Sequence, residues 1–184
     1  MDFLMSLWLP ILLSAVFVFI VSSVLHMVLS YHFTDFKKLP NEDGALETLR
    51  NMNIPAGDYV APCPQSQAEM RSEEYQAKVK QGPVVFLTVQ SSDAKMTTNL
   101  VQWFVYCIVI SIFAAYVGIH AVGSEGDYLD VFRFVGCAAF MGYSLGLIQN
   151  SIWSSKNWTA TLKSVFDGLI YALVTAGTFG WLWQ

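Results

Sequence analysis

Charged residues are scarce in this sequence. Asp, Glu, Lys and Arg account for 13% of its 184 residues, whereas about a quarter of the residues in soluble domains are charged. Hydrophobic residues make up 54% of the chain, and the mean hydropathy is +0.45. This composition is not that of an ordinary soluble domain, and it favours a membrane protein.

The sequence also lacks the motifs of several common protein functions. It contains no glycine-rich phosphate loop, no nucleophile elbow, no H-E-x-x-H motif and no basic nucleic-acid-binding patch. Its three cysteines, Cys63, Cys107 and Cys137, form no cluster with zinc-ligand spacing. We therefore expect no enzymatic activity, no cofactor, no metal ion and no nucleic-acid partner.

Four hydrophobic segments dominate what the sequence does contain, at residues 1–30, 98–122, 128–149 and 161–183. A helix of roughly 20 apolar residues crosses the hydrocarbon core of a bilayer, and it satisfies its own backbone hydrogen bonds there. The sequence therefore predicts an all-α membrane protein, a bundle of four transmembrane helices with a small insertion, residues 31–97, between the first two. The first segment lacks the basic start and cleavage site of a signal peptide, so we expect it to be retained.

The distribution of basic residues predicts an orientation in the membrane. Of the ten Lys and Arg residues, all except Arg133 lie within residues 31–97 or near the connection between the third and fourth segments. Loops rich in Lys and Arg stay in the cytoplasm. We therefore expect the amino and carboxyl termini outside and residues 31–97 in the cytoplasm.

The insertion combines signals for helices and for a strand. Helical spacing in NEDGALETLRNM predicts a helix after Asn41. The capping pair Ser66 and Glu69 predicts a polar helix that extends to about Lys80. The apolar, β-branched run GPVVFLTVQ predicts a strand, whereas the prolines of IPAGDYVAPCP indicate an extended connector. We expect a small α(+β) unit.

Four stretches of the sequence have a familiar pattern: FKKLPNEDGALETLR, GDYVAPCP, QGPVVFLTVQ and TLKSVFDGLIYALVTAGTFGWLW. Together they resemble a family of small bacterial inner-membrane proteins with four predicted transmembrane helices and no known activity. The resemblance covers most of the chain and implies a location in the bacterial inner membrane. It brings no catalytic or binding residues with it.

Asp167 is an ionisable residue within the fourth hydrophobic segment. It shares one side of the predicted helix with Tyr171 and Thr175, while Phe166 and Leu169 lie on the opposite side. A charged side chain in contact with lipid is costly, by roughly 3 kcal/mol on insertion scales. We therefore expect Asp167 to face the interior of the bundle.

The predicted topology places other polar residues at the depth of Asp167. The complete layer consists of His26, Gln102, Gln149, Asn150, Lys163 and Asp167. We expect Asp167 to pair with Lys163, one turn earlier, or with His26. Two interpretations remain open: a hydrogen-bonded network that fixes helix register, or a site where His26 and Asp167 relay a proton or bind a cation.

Small residues recur every four positions in the third and fourth segments. The two ridges consist of Ala138, Gly142 and Gly146, and of Gly168, Ala172, Ala176 and Gly180. Small side chains allow two helix backbones to approach closely. The ridges therefore predict tight packing between the third and fourth helices.

A second histidine follows the first segment. His32 and Asp35 lie three residues apart and are possible metal ligands. On a continuous helix, however, His26 and His32 are separated by about 240° and do not share a face. The sequence therefore does not predict a metal site that combines the two histidines.

The sequence supports three functional hypotheses. The first is a non-enzymatic integral membrane protein that associates with itself or serves as an accessory or structural subunit of a larger membrane assembly. Its partners are then the lipid bilayer and membrane protein subunits. The small-residue ridges and the lack of catalytic motifs favour this hypothesis. The second is a small transporter or channel protomer that uses the layer of His26 and Asp167, and the third is a membrane enzyme of unknown reaction.

Overall fold

The computed structural model describes residues 2–93 and 95–183. Helices account for 73% of the residues that the structure describes. The chain divides into two compact units. The helical unit contains the described residues up to Lys37 and from Met96 onward, and the insertion unit is Lys38–Lys95. Residues 31–37 thus belong with the helical unit.

The elements of the insertion unit form one block in the chain, between the two parts of the helical unit. The α-helices, in chain order, are α1 (Asp2–Ser6), α2 (Trp8–Ser23), α3 (Glu42–Asn51), α4 (Gln67–Met70), α5 (Glu73–Gln81), α6 (Met96–Val122), α7 (Tyr128–Tyr143), α8 (Ile148–Ser154) and α9 (Trp158–Leu182). The strands are β1 (Gly57–Ala61) and β2 (Val85–Val89). A π-helical turn covers Val24–Val28, and 3-10 turns cover Ser30–Thr34 and Leu145–Leu147.

Four helical stretches are long enough and apolar enough to cross a membrane: Trp8–Val28, Met96–Val122, Tyr128–Ser154 and Trp158–Leu182. Their hydropathy decreases from 2.5 in the first to 1.4 in the fourth, which is the stretch that contains Asp167. The four long hydrophobic helices and the predominance of helix, both predicted from the sequence, are confirmed.

The core of the helical unit consists of small, branched and aromatic side chains. Val18 of α2, Ala115 of α6 and Phe179 of α9 are 0% exposed. Ala172 of α9 is buried, and Ala138 of α7 packs partly buried against the same core. Helix α9 packs against α7 and α2, and α6 packs against the same two helices.

The outward faces of these helices are apolar. Ile20 of α2, Phe113 of α6 and Leu173 of α9 are 53%, 65% and 49% exposed. Transfer of large apolar side chains from water to an apolar environment is favourable. This outer surface therefore suits contact with lipid.

The ridge of small residues on α9 lies against α7. A side chain at Gly168 would collide with Ser144 and approach the Tyr143 backbone to 3.2 Å. A side chain at Gly180 would collide with the ring of Tyr128. These two glycines therefore permit an approach that a larger residue would prevent.

The predicted ridge on α7 is oriented differently. Gly142 faces Ile110 of α6, and Gly146 lies in the 3-10 turn after α7, where it faces open space. Helix α7 meets α9 at Gly136, where a Cβ would lie 3.0 Å from the Cβ of Ala176. The contact face of α7 is therefore rotated away from the line of Gly142 and Gly146.

The insertion unit contains a small antiparallel sheet. Strands β1 and β2 pair with Tyr59 opposite Leu87. The predicted helix after Asn41 is α3, and the predicted strand in GPVVFLTVQ is β2, so both predictions are confirmed. The segment predicted as an extended connector contains β1.

The predicted polar helix from Ser66 to about Lys80 is divided into α4 and α5. Ser66 caps α4, accepting a hydrogen bond from the backbone N–H of Glu69 at 3.1 Å. Ser72 then caps α5, accepting one from the backbone N–H of Tyr75 at 3.2 Å. A new helix begins at Ser72 because its side chain accepts a hydrogen bond from a first-turn N–H group that has no partner within the helix.

The insertion unit has little core of its own. Across residues 38–93 and residue 95, every side chain is at least partly exposed. Leu46 of α3 is 40% exposed, and Val85 and Phe86 of β2 are 43% and 54% exposed. The unit therefore buries little apolar surface within itself.

The close approach at Gly168 generates a testable prediction. We expect Gly168→Ala to lower the free energy of unfolding by about 1–3 kcal/mol, because overpacking displaces Ser144 or the α7 backbone. The matched control is Gly177→Ala, where the new Cβ would lie 4.0 Å from the nearest atom, the Tyr128 hydroxyl. This control should be neutral or stabilising by up to about 1 kcal/mol through helix propensity. Circular dichroism, recorded as the protein unfolds in detergent, measures both changes. Equal effects of the two substitutions on the free energy of unfolding would contradict the close approach of α7 and α9.

Candidate functional site

The site begins where α2 stops being a regular helix. The π-helical turn Val24–Val28 is followed by Leu29 in an extended conformation, with φ −85° and ψ 129°. The 3-10 turn Ser30–Thr34 then brings its side chains to α9. Neither glycine nor proline occurs in this stretch, so the break arises from tertiary contacts rather than from a helix-breaking residue.

Asp167 of α9 is the most buried charged group in these contacts. Its side chain is 2% exposed. The Tyr31 hydroxyl donates a hydrogen bond to Asp167 Oδ1, and His32 Nε2 lies 2.8 Å from Asp167 Oδ2. A buried carboxylate is stable only when it is paired and hydrogen-bonded. Both of its oxygens meet that requirement here.

His32 connects two carboxylates. Its second ring nitrogen, Nδ1, lies 2.6 Å from Asp35 Oδ2, while Nε2 lies beside Asp167. Each nitrogen of the imidazole therefore has an acidic partner. The ring orientation is fixed by these two contacts.

Lys163 holds the other side of Asp35. Its Nζ donates to Asp35 Oδ1 at 2.7 Å, to the backbone carbonyl of Tyr31 at 2.6 Å and to Thr34 Oγ1 at 2.8 Å. One cation thus neutralises a carboxylate and binds the 3-10 turn to α9. We call Tyr31, His32, Asp35, Lys163 and Asp167 the polar cluster.

The environment of the polar cluster sets the ionisation of two groups outside the long hydrophobic helices. Partial burial opposes ionisation of Asp35, but hydrogen bonds from Lys163 and His32 outweigh it, so the pKa of this carboxyl lies below its ordinary value. Burial, together with the hydrogen bond to Asp167, raises the pKa of Tyr31. Asp35 is therefore an anion at neutral pH, and Tyr31 remains a hydrogen-bond donor.

His26 lies at the edge of the polar cluster. Its ring centroid is 4.4 Å from that of His32, and its Nε2 lies 3.3 Å from the Tyr171 hydroxyl. The two histidines do not share a face of a continuous helix, yet they are neighbours because the chain turns back after Val28. The separation of 240° that a continuous helix would impose therefore does not apply to these two residues.

The predicted polar layer is only partly assembled. His26, Lys163 and Asp167 lie together at one end of the helical unit. The side chains of Gln102, Gln149 and Asn150 are exposed, and they are not among the hydrogen-bond partners of the polar cluster.

The expected partner of Asp167 requires a correction. Lys163, one turn earlier on α9, does not pair with Asp167; it pairs with Asp35. The donors to Asp167 come instead from Tyr31 and His32 of the 3-10 turn. Because Asp167 already has these two partners, the ammonium group of Lys163 pairs with Asp35 instead.

Sequence reasoning missed the role of the 3-10 turn. The spacing of His32 and Asp35 indicates possible metal ligands, and nothing in the sequence singles out Tyr31. The available signal was the concentration of polar groups in YHFTD directly after a hydrophobic segment. These groups reach α9 because the chain changes direction at Leu29. No local sequence motif marks that change of direction.

The polar cluster contains carboxylates, an imidazole, a phenol and an ammonium group. It contains no serine or cysteine, so it lacks the usual nucleophile of a hydrolytic site. Comparison of the chain with known protein families, curated proteins and solved structures gave no match. The chemistry of the site therefore rests on its geometry, and the resemblance to small bacterial inner-membrane proteins stays an expectation from the sequence.

The contacts of Asp167 predict a difference between two substitutions. Asp167→Asn retains an oxygen that accepts a hydrogen bond and removes the cost of burying a charge, so we expect a small loss of stability. Asp167→Leu leaves Tyr31 and His32 without their acceptor, and we expect it to lower the free energy of unfolding by about 1–3 kcal/mol.

Chemical or thermal unfolding in detergent measures this difference. Thr178→Val is a suitable control on the same helix. The buried Thr178 hydroxyl donates to the backbone carbonyl of Val174 at 2.8 Å, and loss of this local bond should cost less than Asp167→Leu. Equal tolerance of the Asn and Leu variants would show that the hydrogen bonds to Asp167 do not stabilise the protein.

Proposed function

We propose that this chain is a multi-pass protein of the bacterial inner membrane that acts, without catalysis, as a structural or accessory subunit of a larger membrane assembly. The main support is the exposed apolar surface of the insertion unit. The apolar outer faces of four long helices support the location in a membrane.

The insertion unit leaves a groove between α3 and β2. Leu46 and Leu49 of α3 line it on one side, and Leu87 and Val89 of β2 line it on the other. Ordering a chain costs roughly 1–2 kcal/mol per residue in backbone entropy, and a unit this small buries little surface to offset it. Apolar burial against another subunit would supply the missing stabilisation, and we propose that this is the purpose of the unit.

The proposed orientation has the termini outside and residues 31–97 in the cytoplasm. The distribution of Lys and Arg supports it. The position of the polar cluster is consistent with it, because Lys163 and Asp35 lie at the ends of hydrophobic segments that border the basic regions. Ionic groups near a membrane interface are less costly than the same groups at its centre.

A transport pathway has less support. Polar groups collect at one end of the helical unit, whereas Ala115, Val131 and Phe179 are 0% exposed inside the bundle. A pathway for ions needs polar groups or water along its length. The buried hydroxyls between these apolar residues are bonded within the protein, Ser14 to Ser111 and Thr175 to the backbone carbonyl of Tyr171.

The assembly proposal predicts a mass greater than that of one chain. We expect the full-length protein, purified in mild detergent, to show native masses above 20.6 kDa after detergent is removed in the mass spectrometer. Leu46→Asp should shift the population to single chains, because it places a charge at an exposed apolar position that lines the groove between α3 and β2. Gln90→Asp, at an exposed polar position just beyond β2, adds the same charge and should leave the complexes intact.

Two results would overturn the assembly proposal. One is a wild-type protein that is a single chain with no other subunit bound at every detergent concentration at which it stays folded. The other is an equal response to Leu46→Asp and Gln90→Asp, which would exclude the groove between α3 and β2 as the contact on which the proposal rests.

The proposed orientation predicts protection of Cys63, which is exposed on the insertion unit. In intact cells a membrane-impermeant maleimide should not label Cys63, and labelling should follow permeabilisation. Ser124→Cys in a Cys63→Ser background is the control, because residue 124 is exposed in the connection between α6 and α7 and should react from outside. The reverse pattern would invert the orientation.

A further inference from the structure

We propose that His26, His32 and Asp167 form a binding site for one divalent transition-metal ion of the zinc class. The inference is independent of the proposed assembly role, since it rests on the side chains at one end of the helical unit. Each of the three residues offers a ligand atom, and these atoms all lie within 4.8 Å of one another.

The separations are close to those of a formed site. Bonds of 2.0–2.1 Å in a tetrahedral arrangement place neighbouring ligand atoms about 3.3 Å apart. His32 Nε2 and Asp167 Oδ2 are already 2.8 Å apart. His26 is exposed, so a modest movement of its ring completes the set.

The surroundings of His32 are those of a metal-binding histidine. Such a residue usually gives its second ring N–H to a carboxylate, which fixes the tautomer and strengthens the ligand. In this protein the carboxylate is that of Asp35, whose Oδ2 lies 2.6 Å from His32 Nδ1. The other oxygen of Asp35, Oδ1, pairs with Lys163 Nζ at 2.7 Å. Nε2 is directed towards Asp167, and loss of its proton would leave a lone pair there for a cation.

The other two ligands are also held by neighbours. The Tyr31 hydroxyl donates to Asp167 Oδ1, which leaves Oδ2 for a cation. The Tyr171 hydroxyl lies 3.3 Å from His26 Nε2. Each of the three candidate ligands thus has its own hydrogen-bond partner. Neutralising one buried carboxylate would not require so many ordered groups.

The ligand types indicate the class of ion. Two imidazoles and one carboxylate suit zinc and its neighbours, whereas magnesium and calcium prefer oxygen ligands alone. With three ligands from the protein, a fourth position remains for water. Binding requires a neutral His32 with an unprotonated Nε2, so the ion replaces the proton shared by His32 and Asp167, and that proton is released to solvent.

Metal binding by the full-length protein in detergent tests the proposal. After removal of metals with a chelator, titration with Zn²⁺ should give one bound ion per chain by elemental analysis. Titration with Co²⁺ should produce the visible absorption of a four-coordinate site with nitrogen and oxygen ligands. His26→Ala should abolish both signals while circular dichroism shows a folded protein, since His26 is exposed and at the edge of the polar cluster.

Further variants separate this site from surface binding. Asp35→Asn should weaken the affinity for Zn²⁺ by about 10- to 100-fold without changing the stoichiometry. His120→Ala, which removes the histidine near the far end of α6, should leave both signals unchanged. Absence of the Co²⁺ band from the wild-type protein, or its persistence in both His26→Ala and His32→Ala, would overturn the proposal.

Discussion

A carboxylate buried among apolar helices must have donors for both of its oxygens, and this requirement organises one end of the protein. Asp167 is 2% exposed, and removing an ion from water costs several kcal/mol unless it is paired. The nearest cation on its own helix, Lys163, is bonded elsewhere. The donors therefore come from the chain that follows α2, through Tyr31 and His32.

The reversal of the chain after Val28 follows from this requirement. A continuation of α2 would carry the next residues away from α9, whereas the extended Leu29 and the 3-10 turn direct Tyr31 and His32 towards it. The free energy lost with the regular helix is recovered in hydrogen bonds to charged groups, each worth about 1.5–3 kcal/mol. Asp35 and Lys163 add a second connection between the same two parts.

Hydropathy alone was sufficient to predict the four long helices, because a span of about 20 apolar residues has few alternatives in lipid. It was also sufficient to place Asp167 inside the bundle. It was not sufficient for its partners, since no glycine or proline marks the break at Leu29. Likewise, the repeat of Gly142 and Gly146 did not identify the face of α7 that meets α9, because α7 ends at Tyr143 and its neighbour α6 covers Gly142.

Through its contacts with Tyr31 and His32, Asp167 binds the segment after α2 to α9. A double-mutant cycle with Tyr31→Phe and Asp167→Leu measures that contact most directly, because Phe removes only the donating hydroxyl. We expect non-additive losses in the free energy of unfolding, with a coupling of about 0.5–3 kcal/mol between the two positions. Strictly additive losses, with no coupling beyond experimental error, would contradict this role of Asp167.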